Sequence, residues 1–164
     1  MSIFDKLFNK ENKNICKDKK SPYYNYPNDL KDYCEYEDKY QYVWNLIGEY
    51  TQKINTYYSD YINTNNKEAF NNLFIYCNKY FDLIPKFEEA RKEDTKINGT
   101  IYKSPYYCVA YHKLAMAYEK AQCYNSAINL CKEAIAKGYT DGTKGGFEAR
   151  LKRLQKEKDK TKNN

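Results

Sequence analysis

"YHKLAMAYEKAQCYNSAINLCKEAIAKGY", Tyr111 to Tyr139, is the stretch where a chain dominated by Tyr, Asn and Lys turns rich in Ala. Tyr111, Leu114, Ala115 and Tyr118 recur at helical spacing, and after a break at Gln122 and Cys123 so do Ala127, Ile128, Cys131, Ala134 and Ile135. Two helices can cross closely only where the side chains at the crossing are small. Ala115, Ala127 and Ala134 therefore predict a tight antiparallel hairpin. Ser104 and Pro105 suit its cap and first turn, and Gly138 suits the stop after its second helix.

Working outward, helical spacing dominates the rest of the chain. From about Asp38, Tyr40, Trp44, Ile47, Thr51, Ile54, Tyr58 and Tyr61 alternate spacings of four and three, which predicts one long helix. "NTNNKEAF" offers Asn and Thr as caps, and Phe70, Leu73, Cys77, Phe81 and Ile84 form the next stripe. Pro85 is expected to end or kink that helix, with another short helix from residue 86 to 93 and a loop over "EDTKINGTIYKSP". Phe147, Leu151 and Leu154 define a last helix after "TDGTKGG". Pro22 and Pro27 argue against continuous helix before residue 36, so 1–36 reads as an irregular leader with a short amphipathic segment at Ile3, Phe4, Leu7 and Phe8. No alternation of period two suggests a sheet. The expected fold is all-α, with an all-helical domain over 37–158, its clearest hairpin at 105–138, and a basic disordered tail at 159–164.

The hairpin resembles a tetratricopeptide repeat. Against the pattern W-x2-L-G-x2-Y…A-x3-F, the chain supplies Tyr111-x2-Leu114-Ala115-x2-Tyr118 and then Ala127-x3-Cys131, with Ala134 as a further small position. Cys131 departs from the usual aromatic, and Tyr139 stands near the place of a Pro. A shift of 54 residues lays Leu73-x3-Cys77 on Ala127-x3-Cys131 and Pro85 on Tyr139, while Trp44-x2-Ile47-Gly48-x2-Thr51 echoes the first half. Thr51 to Leu73 spans 22 positions, however, against nine from Tyr118 to Ala127, so residues 38–85 read as a divergent hairpin with an extended first helix. One repeat cannot bury its own faces, and the resemblance implies stacked antiparallel hairpins in a short solenoid closed by a C-terminal capping helix. It also implies a non-enzymatic adaptor or scaffold that binds a peptide or protein in a helical groove. On the clear repeat, the side chains facing away from the hairpin core are Val109, His112, Met116, Glu119 and Lys120, the expected partner-binding set. They lack the Lys, Arg and Asn combination with which chaperone-binding relatives clamp a C-terminal carboxylate.

Composition limits the other classes. In 164 residues there are 20 Tyr and 7 Phe, so aromatic bodies must fill much of the interior despite a mean hydropathy of −1.01. The net charge of +6 is concentrated at the two ends and leaves a nearly neutral body, which weighs against a nucleic-acid face. Nucleic-acid association nonetheless stands as the alternative to an adaptor, as does weak peripheral membrane contact through the N-terminal amphipathic segment and its neighbouring Lys residues. Six cysteines without a C-x-x-C pair, and "MSIFDKLFNKENKN" turning charged before any apolar run, read as free thiols in a reducing cytoplasm. His112 is the single histidine, which rules out metal motifs that need two; neither a cofactor nor a metal is expected. A Cys108 and His112 pair one turn apart would suit a nucleophile, yet packing and surface roles explain it better. "DGTKGG" before a helix could present amides to an anion but lacks the order of a nucleotide loop. An open solenoid edge would be compatible with pairing to a second copy.

Overall fold

The computed structural model describes residues 27–102 and 106–162; the N-terminal amphipathic segment and the Ser104-Pro105 cap lie outside them. The described elements are α1 (Asn28–Thr64), α2 (Lys67–Asn98), β1 (Tyr106–Tyr107), α3 (Val109–Lys120), α4 (Tyr124–Ala136), β2 (Tyr139–Thr140) and α5 (Gly146–Lys162). The chain is thus mostly helical. Among the described residues no helix is long and apolar enough to cross a membrane.

Several boundaries differ from the sequence reading for local reasons. Pro27 does not interrupt a helix but starts one, because its carbonyl accepts from the Lys31 amide at 2.8 Å and its missing N–H precedes the first turn. Residues 28–36 are therefore helical rather than part of an irregular leader. Pro85 lies inside α2, which neither ends there nor gives way to a separate helix. Leu83 and Ile84 before it, and Ala90 and Arg91 after it, are all buried, and that packing offsets the roughly 3 kcal/mol that an interior proline costs. α2 stops only at Asn98, where Gly99 takes a φ of 68°. At the other end α5 runs through residues 159–162 instead of dissolving into a disordered tail, helped by the Lys160 to Glu157 ion pair at 2.7 Å.

The fold divides into two compact units. One joins the described residues up to Trp44 with Lys86–Ile101; the other joins Asn45–Pro85 with the described residues from Tyr102 onward. In the first, Val43 and Ala90 are fully buried, Trp44 packs edge-on against Phe87 at 4.9 Å, and the Trp44 indole donates to the Tyr36 hydroxyl at 2.7 Å. Tyr40 donates to Glu89 at 2.6 Å from an almost fully buried position.

The second unit has an apolar centre of Ile54, Leu73, Cys77, Tyr111, Leu114, Phe147 and Leu154. Burying each of the larger side chains contributes roughly 1.5–3 kcal/mol. Ala110, Ala115, Ala117, Ala127, Cys131 and Ala134 are fully buried, which places the small residues of the α3–α4 hairpin within the packed interior. Two turn devices fix the hairpin ends. Asn65, at a φ of 54°, breaks α1 from α2, and the Asn66 side chain accepts from the Glu68 amide at 2.8 Å to start α2. α3 ends with the Cys123 amide bonded to the Tyr118 carbonyl at 2.9 Å and that of Gln122 to Glu119 at 3.0 Å, the paired bonds of a Schellman stop. β1 and β2 pair in parallel, Tyr106 with Tyr139 and Tyr107 with Thr140. This strap joins the residues before α3 to those after α4, and two residues a side are too few for alternation to reveal them.

Candidate functional site

The face of α3 expected to read a partner is largely engaged within the second unit. Val109 is only 3% exposed and belongs to the apolar core, which removes it from the partner-binding set: a residue on the outer side of one hairpin is buried once the rest of the second unit packs around it. Met116 accepts a hydrogen bond from the Tyr58 hydroxyl at 3.5 Å, and the ring of Tyr58 lies under the Lys113 ammonium at 4.5 Å. Lys120 donates to the carbonyls of Tyr61 and Ile62, supplying hydrogens to the C-terminal end of α1. His112 shares a hydrogen bond of 2.9 Å with the Tyr107 hydroxyl, and burial, with Lys113 and Arg150 adding to it, lowers the imidazole below its usual pKa. Tyr111, Leu114, Ala115, Ala127, Cys131 and Ala134 are buried, and the half-buried Tyr118 packs edge-on against Phe70 at 5.8 Å.

Glu119 is the centre of a charged joint that spacing does not disclose. Its carboxylate accepts from Arg150 at 3.0 Å and from two nitrogens of Arg153 at 3.0 and 2.8 Å. Arg150 also donates to Asp141 at 3.1 Å, and Asp141 in turn accepts from the Thr143 amide at 3.0 Å and the Thr143 hydroxyl at 2.6 Å. Asp141 is 2% exposed. Burial pushes its carboxyl up, but the two Thr143 bonds and Arg150 together outweigh that and hold it below the usual range. The "DGTKGG" turn is thereby organised around its own carboxylate, which repels an anion. Its clue in the sequence is local: Asp two residues before Thr is an Asx-turn pattern, and Arg150 and Arg153 share a helix face.

A second cluster joins Tyr111, Glu133 and Lys137. The Tyr111 hydroxyl donates to Glu133 at 2.6 Å while Lys137 donates to both, at 2.9 and 2.7 Å. Burial first, and the Glu133 bond second, push the phenol up to about 12; the Lys137 and Tyr111 bonds lower the pKa of Glu133. These groups stabilise one another's resting protonation states and leave none poised near neutrality. The thiols behave similarly. Cys34, Cys77, Cys108 and Cys131 are buried, Cys123 is exposed, and all five are unbridged. Burial raises Cys77 strongly and Cys131 to about 11, keeping both protonated. Among the described residues no group of His, Cys, Asp and Glu is arranged to hold a metal ion.

An open surface cavity does exist, in the first unit. It measures about 550 Å³ and lies between the N-terminal part of α1 and the C-terminal part of α2. Its lining combines Tyr36, Tyr40 and Ile97 with the charged Asp32, Glu35, Lys39, Glu93 and Lys96. Lys39 is bonded to Glu89 at 3.0 Å, and Lys96 to Glu93 at 2.6 Å. Glu35 in turn lies 3.9 Å from the Lys31 ammonium. Three carboxylates, Asp32, Glu35 and Glu93, against two ammonium groups, Lys39 and Lys96, still leave the groove lining acidic in character. Sequence reasoning misses it because Asp32, Glu35 and Tyr36 fall in the stretch read as a leader, and Glu93, Lys96 and Ile97 in or beside one read as a loop.

Comparison of the chain with protein-family models, with curated proteins and with solved structures found no match.

Proposed function

We propose that the chain is a non-enzymatic adaptor or scaffold, built from tetratricopeptide-like helical hairpins, whose binding site for a peptide or protein surface is the acidic, tyrosine-lined groove of α1 and α2. The groove is the observation that carries this reading. It combines apolar wall with charge and has the scale of a pocket that accepts a few side chains. The matching ligand is an extended or helical segment presenting a Lys or Arg next to an apolar or aromatic residue, the basic group meeting Asp32 at the acidic lining and the apolar one meeting Tyr36, Tyr40 and Ile97.

Support for a scaffold over a catalyst comes from positive engagement of the reactive groups. His112 is held by Tyr107, Glu119 by two arginines, Glu133 by Lys137 and Tyr111, and the Cys77 and Cys131 thiols by burial. Each contributes to holding the second unit together. The test is an array of short peptides probed with the labelled chain. Enrichment of basic and aromatic peptides, lost in an Asp32→Lys/Glu35→Lys variant of unchanged circular dichroism, is the expected result. Equal binding by both chains would remove the groove from the account.

A further inference from the structure

Within the second unit, α2 turns one stripe away from the core. Lys67, Asn71, Phe74, Ile75, Asn78 and Asp82 are all exposed, with Phe74 at 42% and Ile75 at 47%. Their spacings, read from either end, are four, three, one, three and four. The chemistry is also mirrored about the Phe74–Ile75 bond: apolar at the centre, an Asn on each side, and opposite charges at the ends. The Asn78 amide donates to the Phe74 carbonyl at 2.9 Å, so that side chain lies back along its own helix and leaves the two apolar groups prominent.

We propose that the chain self-associates through this stripe as an antiparallel, two-fold pair of α2 helices. In that arrangement Phe74 meets Ile75 of the second copy, Asn71 meets Asn78, and Lys67 meets Asp82 at both ends. A two-fold interface must be self-complementary, and a mirrored stripe satisfies that requirement without a second patch. Charge decides the direction. A parallel pair would set Lys67 on Lys67 and Asp82 on Asp82, whereas the antiparallel pair forms two opposite-charge contacts. Neither Lys67 nor Asp82 is spent on an ion pair among the described residues. Fifteen residues of helix separate the ends, about 22 Å at the usual rise. One such helix face is smaller than a standard stable interface, so the pair exchanges with monomer and forms at high concentration. This surface is distinct from the acidic groove and goes beyond the adaptor reading.

Sedimentation velocity of the full chain over a wide concentration range, up to millimolar, tests the idea. The expected result is a weight-average mass that rises reversibly toward that of a dimer. Ile75→Lys weakens the association about tenfold or more, as loss of a central apolar contact does. Lys67→Asp and Asp82→Lys each weaken it, and the Lys67→Asp/Asp82→Lys double variant restores it, an outcome that misfolding cannot imitate. A wild-type chain that stays monomeric throughout would overturn the proposal and leave the stripe to a different protein. Association that is indifferent to Ile75→Lys, or a double variant that stays weak, would overturn it equally.

Discussion

Gln122 and Gly138 flank α4 in the same left-handed region of backbone space, at φ values of 57° and 72°. An L side chain there costs roughly 1–2 kcal/mol, partly offset by the extra chain entropy that glycine loses on folding. Nothing lies within 4 Å of a Cβ added at Gly138, so Gly138→Ala is expected to cost about 1 kcal/mol from conformation alone. Gln122→Gly should go the other way and gain somewhat less, and urea midpoints of the two variants check the opposite signs. Asp141 makes a larger contribution. Its folded pKa is depressed, so the stability it supplies is present above the unfolded value near 4 and is lost as the pH falls through the lower folded value. Asp141→Asn leaves Arg150 without this buried carboxylate and is expected to cost about 3 kcal/mol at neutral pH. Urea unfolding at pH 7 and pH 3 should show the variant falling less than the wild type on acidification. The Ala positions of the hairpin were legible because small residues recur with the helical period. The Asp141, Arg150 and Glu119 joint was not, since its members come from a turn and two helices and follow no period. Val109 differs for a related reason: exposure on one hairpin depends on what the rest of the unit packs against it.

The helices themselves were legible wherever an apolar stripe ran long enough to establish a period. Their ends were legible where cap chemistry is local, as at Asn66 and Gly138, and obscure where a proline can act in two ways. Pro27 begins α1, while Pro85 sits inside α2 and denies the Phe81 carbonyl its usual donor four residues on. Pro85→Ala should therefore raise stability by about 1 kcal/mol or more, bounded by the ~3 kcal/mol of an interior proline. Thermal melting of the two chains measures it, and an unchanged or lower melting temperature would mean that the proline fits a bend on which the packing depends. The parallel strap of β1 and β2 lay below the resolution of any periodic signal, although it pins both ends of the α3–α4 hairpin.

At the scale of the molecule, the sequence pointed to binding through α3, and the folded chain uses that face to bind itself. Tyr58, the end of α1, and Arg150 with Arg153 of α5 all converge there within the second unit. The surfaces proposed for a partner, among the described residues, are the groove of the first unit, where Asp32, Glu35 and Tyr36 come from the stretch read as a leader, and the mirrored stripe of α2 in the second. The division into two compact units explains why both were hard to foresee: α1 and α2 each contribute residues to two packing centres under one uninterrupted helical period. The groove is the part on which the functional account depends. Affinity capture from an extract of the source cell, read by quantitative mass spectrometry, tests it most directly when the wild type, the Asp32→Lys/Glu35→Lys variant and the Met116→Glu variant are compared side by side. The account predicts a specifically enriched protein that is lost with the groove variant and kept by any Met116→Glu chain that folds. A protein lost only with Met116→Glu, or one captured equally by all three chains, would contradict it.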